Sequence, residues 1–374
     1  MKDISIRSTP ILIILGLLAI SLMVLVEFTK HEQTQPFFQD KMEAARLVDR
    51  SIEHLKSTHF KDEVAVDNIN DPNDTRIIGT RFSSITSGRG SLPIKLSTAN
   101  PNFGALMVQL FKDAGVEKGD HIAIGATGSF PALNIATCAA AEVLELNVSL
   151  ITSVTSSSWG ANDPDYTFLD MHASLVNSEI LSQPVLASSI GANQDIGRTL
   201  SPEGRVDAKK AITRNKVTFI NGTSLAENID QRVELFEGRE QSLEKPITVY
   251  VNVGGGVASL GSDINSESLP SGLIEEPKLE LFEDKTGVMF RMASRQVPII
   301  NLRNIQVLMS RYDLARDPVP MPLVGEGKLF YDLKYDLRYV FGAAALLVWL
   351  IFMIIIFDRK QNALGKVVVK TEPI

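Results

Sequence analysis

Gly119-Asp120-His121-Ile122-Ala123-Ile124-Gly125-Ala126-Thr127-Gly128-Ser129-Phe130-Pro131-Ala132-Leu133-Asn134-Ile135-Ala136 decides the fold. Ile122-Ala123-Ile124 is an apolar run with the length of a short buried strand. Gly125 and Gly128 then allow a tight turn. Ser129 is suited to cap a helix, and Pro131 sits where a first helical turn tolerates a missing N–H. Small and apolar residues carry that helix through Ala141, and residues 147–151 read as the next strand. Strand, glycine turn, helix and strand make a βαβ unit. Its turn collects backbone N–H groups at the positive end of a helix, where an anion is favoured.

The same alternation extends outward. Upstream, residues 97–102 cap a helix over 103–114, closed by Gly115. Downstream, helices are expected over 163–181, 202–214 and 225–236, and strands over 184–187, 217–220 and 247–251. This pattern predicts an α/β fold: a mainly parallel sheet with helices on both faces. In such a sheet ligands bind outside the carboxyl ends of the strands.

The two ends of the 374-residue chain differ from its middle. Residues 10–26 and 340–357 carry no charge and are rich in Ile and Leu. Each approaches the ~20 residues that cross a bilayer. Glu27-Phe28-Thr29-Lys30 follows the first without a small-x-small cleavage site, so an uncleaved anchor is expected rather than a signal peptide. Lys2 and Arg7 precede the first segment, and Arg359, Lys360, Lys366 and Lys370 follow the second. The positive-inside rule then places both termini in the cytoplasm and the large domain outside it. Lys328, Lys334 and Arg338 oppose that orientation and keep the reverse open. The expected organisation is an N-terminal anchor (1–30), a stalk helix (31–62), an extracytoplasmic α/β domain (63–335), and a C-terminal transmembrane helix with its tail (336–374).

Composition narrows the function. A net charge of −7 argues against nucleic acid as a partner. Cys138 is the single cysteine, so an internal disulfide and a cysteine-rich metal site are excluded. No metal helix, phosphate loop or dinucleotide fingerprint is present, and neither a metal nor a cofactor is expected. The polar clusters at the predicted strand ends are the candidate ligand sites: Thr127-Gly128-Ser129, Ser156-Ser157-Ser158-Trp159-Gly160, Asn193 with Asp195 and Gly197, Asn221-Gly222-Thr223, and Asn252 with Gly254 to Gly256. Within them Thr127, Gly128, Ser129, Ser158, Trp159, Gly160, Asn193, Asp195, Asn221, Asn252 and Gly254 are the expected ligand contacts. Trp159 either stacks on a ligand or fills the core beneath its loop. Gly-x-Ser-x-Gly is absent around Ser129. A nucleophilic Ser129 would need a base and an orienting acid, for which His172 and Asp195 are the candidates; a packed helix histidine is the plainer account of His172. Arg89, Arg198 and Arg205 are candidates for a basic rim.

Gly-Ser-Phe-Pro-Ala-Leu-Asn at 128–134, Ser-Trp-Gly-Ala-Asn at 158–162, Phe-Leu-Asp-Met at 168–171 and Gln-Asp-Ile-Gly at 194–197 lie between two membrane-type ends. In this combination the chain resembles the bacterial poly-gamma-glutamate system protein family. The resemblance implies a bacterial cell-membrane component that accompanies the ligase and export proteins of the poly-gamma-glutamate capsule. It implies no catalytic residue. Two readings follow: an accessory module that binds the polymer or its synthesis machinery, and a hydrolase or transferase of gamma-glutamyl bonds with Ser129 as nucleophile.

Overall fold

Seven strands form the central sheet of the computed structural model, which describes residues 9–59 and 67–368, without the side chains of 361–368. In chain order they are β1 (His121–Thr127), β2 (Asn147–Ser153), β3 (Ala187–Ser189), β4 (Thr218–Phe219), β5 (Ile247–Val253), β6 (Gly272–Ile274) and β7 (Ile299–Leu302). Their order across the sheet is β6-β7-β5-β1-β2-β3-β4. Every neighbouring pair is parallel except β6 with β7, at one edge. β1 and β2 are in register from His121 opposite Asn147 to Thr127 opposite Ser153. From β1 the chain builds to one side through β4, then returns to lay β5 on the other side of β1. The strand order therefore reverses between β1 and β5, and a crevice opens there at the carboxyl ends.

Alternation along the strands explains why both faces are covered. Ile122, Ile124, Val249, Val251, Ile300 and Leu302 belong to one core. Ala123, Tyr250 and Ile299 point into the other. A register shift between Ile247 and Val249 puts Ile247 on the same face as Tyr250. Helices Phe103–Asp113 and Pro131–Val143 cover the first face, with Phe103, Leu106 and Ile135 fully buried. Helices Leu225–Leu243 and Val288–Ser294 cover the second through Phe236, Met289 and Met292.

Helix Phe38–His59 occupies the region expected to be a stalk, and it is part of the folded unit. Its Ala44, Ala45, Val48, Ile52 and Leu55 are buried. It packs on helices Phe103–Asp113 and Pro131–Val143. The apolar spacing that reads as a free amphipathic helix is the spacing of a helix docked on two others. The expected stalk end and domain start, at 62 and 63, lie outside the described residues.

Other boundaries moved for local reasons. The helix expected over 163–181 is Phe168–Asn177. Residues 162–167 form a hairpin instead, and Thr167 then caps the helix in a reciprocal box with Asp170. The helix beginning at Leu225 runs to Leu243 and stops at Glu244, which takes a left-handed conformation.

The chain divides into two units, at Thr34/Gln35 and at Phe330/Tyr331. One, Gln35–Phe330, holds the sheet. The other holds helices Thr9–Glu27 and Leu337–Val368, joined by an antiparallel ribbon of His31–Thr34 with Tyr331–Lys334. Thr9–Glu27 and Leu337–Lys360 are each long and apolar enough to cross a membrane. Their Leu12, Leu17, Met23, Phe341, Trp349 and Phe352 are exposed.

Candidate functional site

The carboxyl ends of the central strands open into a cleft of about 1730 Å³. Thr127 of β1 and Ser153 of β2 lie on its floor, and Gly255 and Gly256, after β5, form part of its wall. Residues 87–91 and 191–195 close other sides, and residues 261–271 and 303–307 extend it beyond β7.

The cleft collects some of the expected residues and leaves out others. Thr127, Ser129, Asn193 and Asp195 line it. Gly128 and Gly160 sit behind that surface and let backbones meet. A Cβ on Gly128 would lie 2.7 Å from the Val154 carbonyl oxygen, and one on Gly160 would lie 2.6 Å from that of Ser129. Ser158 is buried, with its Oγ donating to the Gly88 carbonyl at 3.3 Å. Trp159 adopts φ +68° and does not line the cleft. Asn221 is exposed away from it. Asn252 is fully buried and donates to the Gly254 carbonyl and to Asn301 Oδ1, both at 2.9 Å. Gly254 takes φ +87° so that the chain can turn after β5.

The expected serine triad is not assembled. Asp195 is committed to Arg232, with Nη1 to Oδ2 at 2.6 Å, and it also accepts from Ser189 and Asn228. His172 is buried, and its Nε2 donates to the Gln183 carbonyl at 2.8 Å. Burial pushes its imidazole below the usual range and so favours the neutral ring. Gln183 in turn accepts from the Val148 N–H, at the start of β2. Ser129 lies near the other end, where the Gly128 N–H donates to the Ser153 carbonyl. Five residues of strand separate the two ends by roughly 17 Å. Nor does Ser129 cap the helix: Phe130 holds that position, and Ser129 Oγ instead accepts from the Ser157 N–H at 3.0 Å.

The site's most unusual group is Lys95, on helix Leu92–Thr98. It is 2% exposed. Its Nζ donates to the Ser129 carbonyl, and to Ser157 Oγ at 2.9 Å. It also stands 3.7 Å from the centre of the Phe130 ring. Among the described residues no carboxylate pairs with it, and burial lowers it to about 7. Ser157 lines the cleft beside it. The short strand Thr86–Gly88 pairs with Ser156–Ser157, and Gly90, facing the Ser158 carbonyl, lets the 87–91 loop come close. Ser157 belongs to the polar strand-end cluster at 156–160, whereas nothing local in the sequence marks Lys95.

Arg89, Arg303 and Arg311 line the cleft and form no ion pair among the described residues. Arg303 Nε donates to Ser266 Oγ at 2.7 Å. The expected Arg198 and Arg205 are not part of the lining, and Arg205 is spent on the Leu200 carbonyl at 2.7 Å. Asp263, Glu267 and Asp284 contribute negative charge to the same walls.

No family model and no curated protein matches the chain. Among solved structures, the Escherichia coli diaminopropionate ammonia lyase in apo form aligns over 91% of this chain and 89% of its own, at 11% identity. Its TM-score of 0.17 is below that of chains sharing a fold.

Proposed function

We propose that the chain is a membrane-anchored component of poly-gamma-glutamate synthesis and export in a bacterial cell membrane. In this reading Thr9–Glu27 and Leu337–Lys360 both span the bilayer, and the Gln35–Phe330 unit stands outside the cytoplasm and holds the polymer in its cleft. The observation that carries the reading is the polar cleft at the carboxyl rim, with Arg89, Arg303 and Arg311 on its walls. Guanidinium groups recognise carboxylates through two parallel hydrogen bonds, and a gamma-linked glutamate chain offers one free carboxylate per residue. The acidic residues on the same walls confine favourable binding to the arginine-bearing stretches. The motifs at 128–134 and 158–162 support the same family.

The full-length protein in detergent micelles is to be titrated with poly-gamma-glutamate. Binding that weakens with salt is expected. Arg303→Gln combined with Arg311→Gln should reduce affinity about tenfold or more, because a charge-assisted bond contributes ~1.5–3 kcal/mol. Wild-type protein without measurable affinity for the polymer overturns the proposal. A reporter fused after Lys61 should be active only outside the cytoplasm; activity inside reverses the orientation.

A further inference from the structure

We propose that Ser157 and Lys95 form a nucleophile and general-base pair that hydrolyses a carboxamide bond seated in the cleft. The pair stands on its own geometry; that the amide belongs to a carboxylate-bearing chain rests on the polymer-binding reading above. Three observations carry it. Lys95 Nζ lies 2.9 Å from Ser157 Oγ, within direct proton-transfer reach. Ser157 is half-buried and faces the cleft, while its neighbours Ser156 and Ser158 are buried. Lys95 is a buried amine without a carboxylate partner among the described residues, an arrangement that costs stability and that a purely structural site would gain by replacing with an apolar side chain.

The environment of Lys95 suits a base. It touches the Ser129 carbonyl, Ser157 Oγ and the Phe130 ring. Among the described residues burial is what moves it, to about 7. Near neutral pH a large fraction of the amine therefore has a lone pair to offer.

The reaction balances in two steps. Ser157 Oγ attacks the carbonyl carbon as its proton passes to Lys95 Nζ. The carbon–nitrogen bond then breaks, and Lys95 returns that proton to the departing amine, which leaves an ester on Ser157. In the second step water attacks the ester while Lys95 accepts a water proton. The ester bond breaks, the proton goes back to Ser157 Oγ, and the products are a carboxylic acid and an amine. Ser129 acts as a positioning residue, since its Oγ accepts from the Ser157 N–H at 3.0 Å and its carbonyl accepts from Lys95.

The test uses full-length protein in detergent with a fluorophosphonate probe, the labelled residue being identified by mass spectrometry. The label is expected on Ser157 and should be lost in Ser157→Ala. Its rate should rise with pH through about 7, where Lys95 deprotonates. Lys95→Met should slow labelling by about 100-fold or more, the usual contribution of a positioned base. Lys95→Arg keeps a cation for the Ser129 carbonyl but supplies no base, so a folded Lys95→Arg protein should also fail to label. Absence of label in folded wild-type protein, label on Ser129, or wild-type labelling by Lys95→Arg overturns the pair. Release of new amines from gamma-glutamyl oligomers by wild type but not Ser157→Ala supports both proposals. Labelling without affinity for poly-gamma-glutamate upholds the pair and overturns the polymer reading. Polymer binding without labelling overturns the pair alone.

Discussion

Buried lysines give the folded unit a distinctive dependence on pH. Lys95 is lowered to about 7 and Lys41 to about 8, in both cases chiefly by burial. Lys41 is 1% exposed, and its Nζ donates to the Leu329 carbonyl at 3.0 Å. In the unfolded chain both titrate near ~10.4. Between the native and unfolded values the unfolded chain holds more protons, so stability rises with pH. Below about pH 7 both lysines are charged in either state, and their contribution to the slope vanishes. The melting temperature should therefore increase from about pH 7 toward about pH 10 by these groups' contribution. Lys95→Met should flatten that rise, most of all at its lower end. A parallel pH profile for wild type and variant would show that Lys95 is not depressed. Ser129→Ala removes no helix cap, because its Oγ serves the Ser157 N–H instead.

At the scale of elements, the decisive contact is between helices Phe38–His59 and Phe103–Asp113. A Cβ on Gly104 would lie 2.8 Å from the carbonyl oxygen of Ala44. The helices meet backbone to backbone, which small residues alone permit, and Ala44, Ala45 and Ala105 are fully buried around the contact. Gly104→Val should force the helices apart and cost about 1–3 kcal/mol or more. Gly238→Val, on helix Leu225–Leu243, is the control, since a Cβ there meets nothing within 4 Å among the described residues. Chemical denaturation of both variants checks this. Equal midpoints would mean that helix Phe38–His59 is not part of the cooperative core.

For the whole molecule, the burial pattern separates two kinds of apolar surface. Gln35–Phe330 holds the sheet and its helices together, with the hydrophobic residues of both faces buried. The terminal helices expose theirs. Residues 35–330 expressed without either terminal helix should give a soluble, cooperatively unfolding protein, observed by calorimetry and size-exclusion chromatography. A shorter piece beginning at 60 should aggregate, because it uncovers the faces of Phe103–Asp113 and Pro131–Val143 on which helix Phe38–His59 packs. Aggregation of residues 35–330 would mean that the folded unit needs its terminal helices.

Local periodicity determined a large part of this protein. Strand β1 surrounds the Ile122–Ile124 run, and helix Pro202–Arg214 begins and ends where its residues say it should. Such features are set within one helical turn or a few strand residues, so a single stretch of chain contains all the information. The parallel sheet follows from repeated alternation. The chemistry of the cleft does not follow in this way. Lys95 meets groups 34 and 62 positions away, at Ser129 and Ser157. His172 and Asp195 are of suitable residue types, yet one is tied to Gln183 near the opposite end of the sheet and the other to Arg232. Helix Phe38–His59 has the pattern of a stalk and the burial of a core element. In each case the partner is chosen by which elements the strand order brings together, and one chain segment does not contain that order. Tertiary packing also removed water from Lys95, and that desolvation, rather than its residue type, makes an ordinary lysine a candidate base.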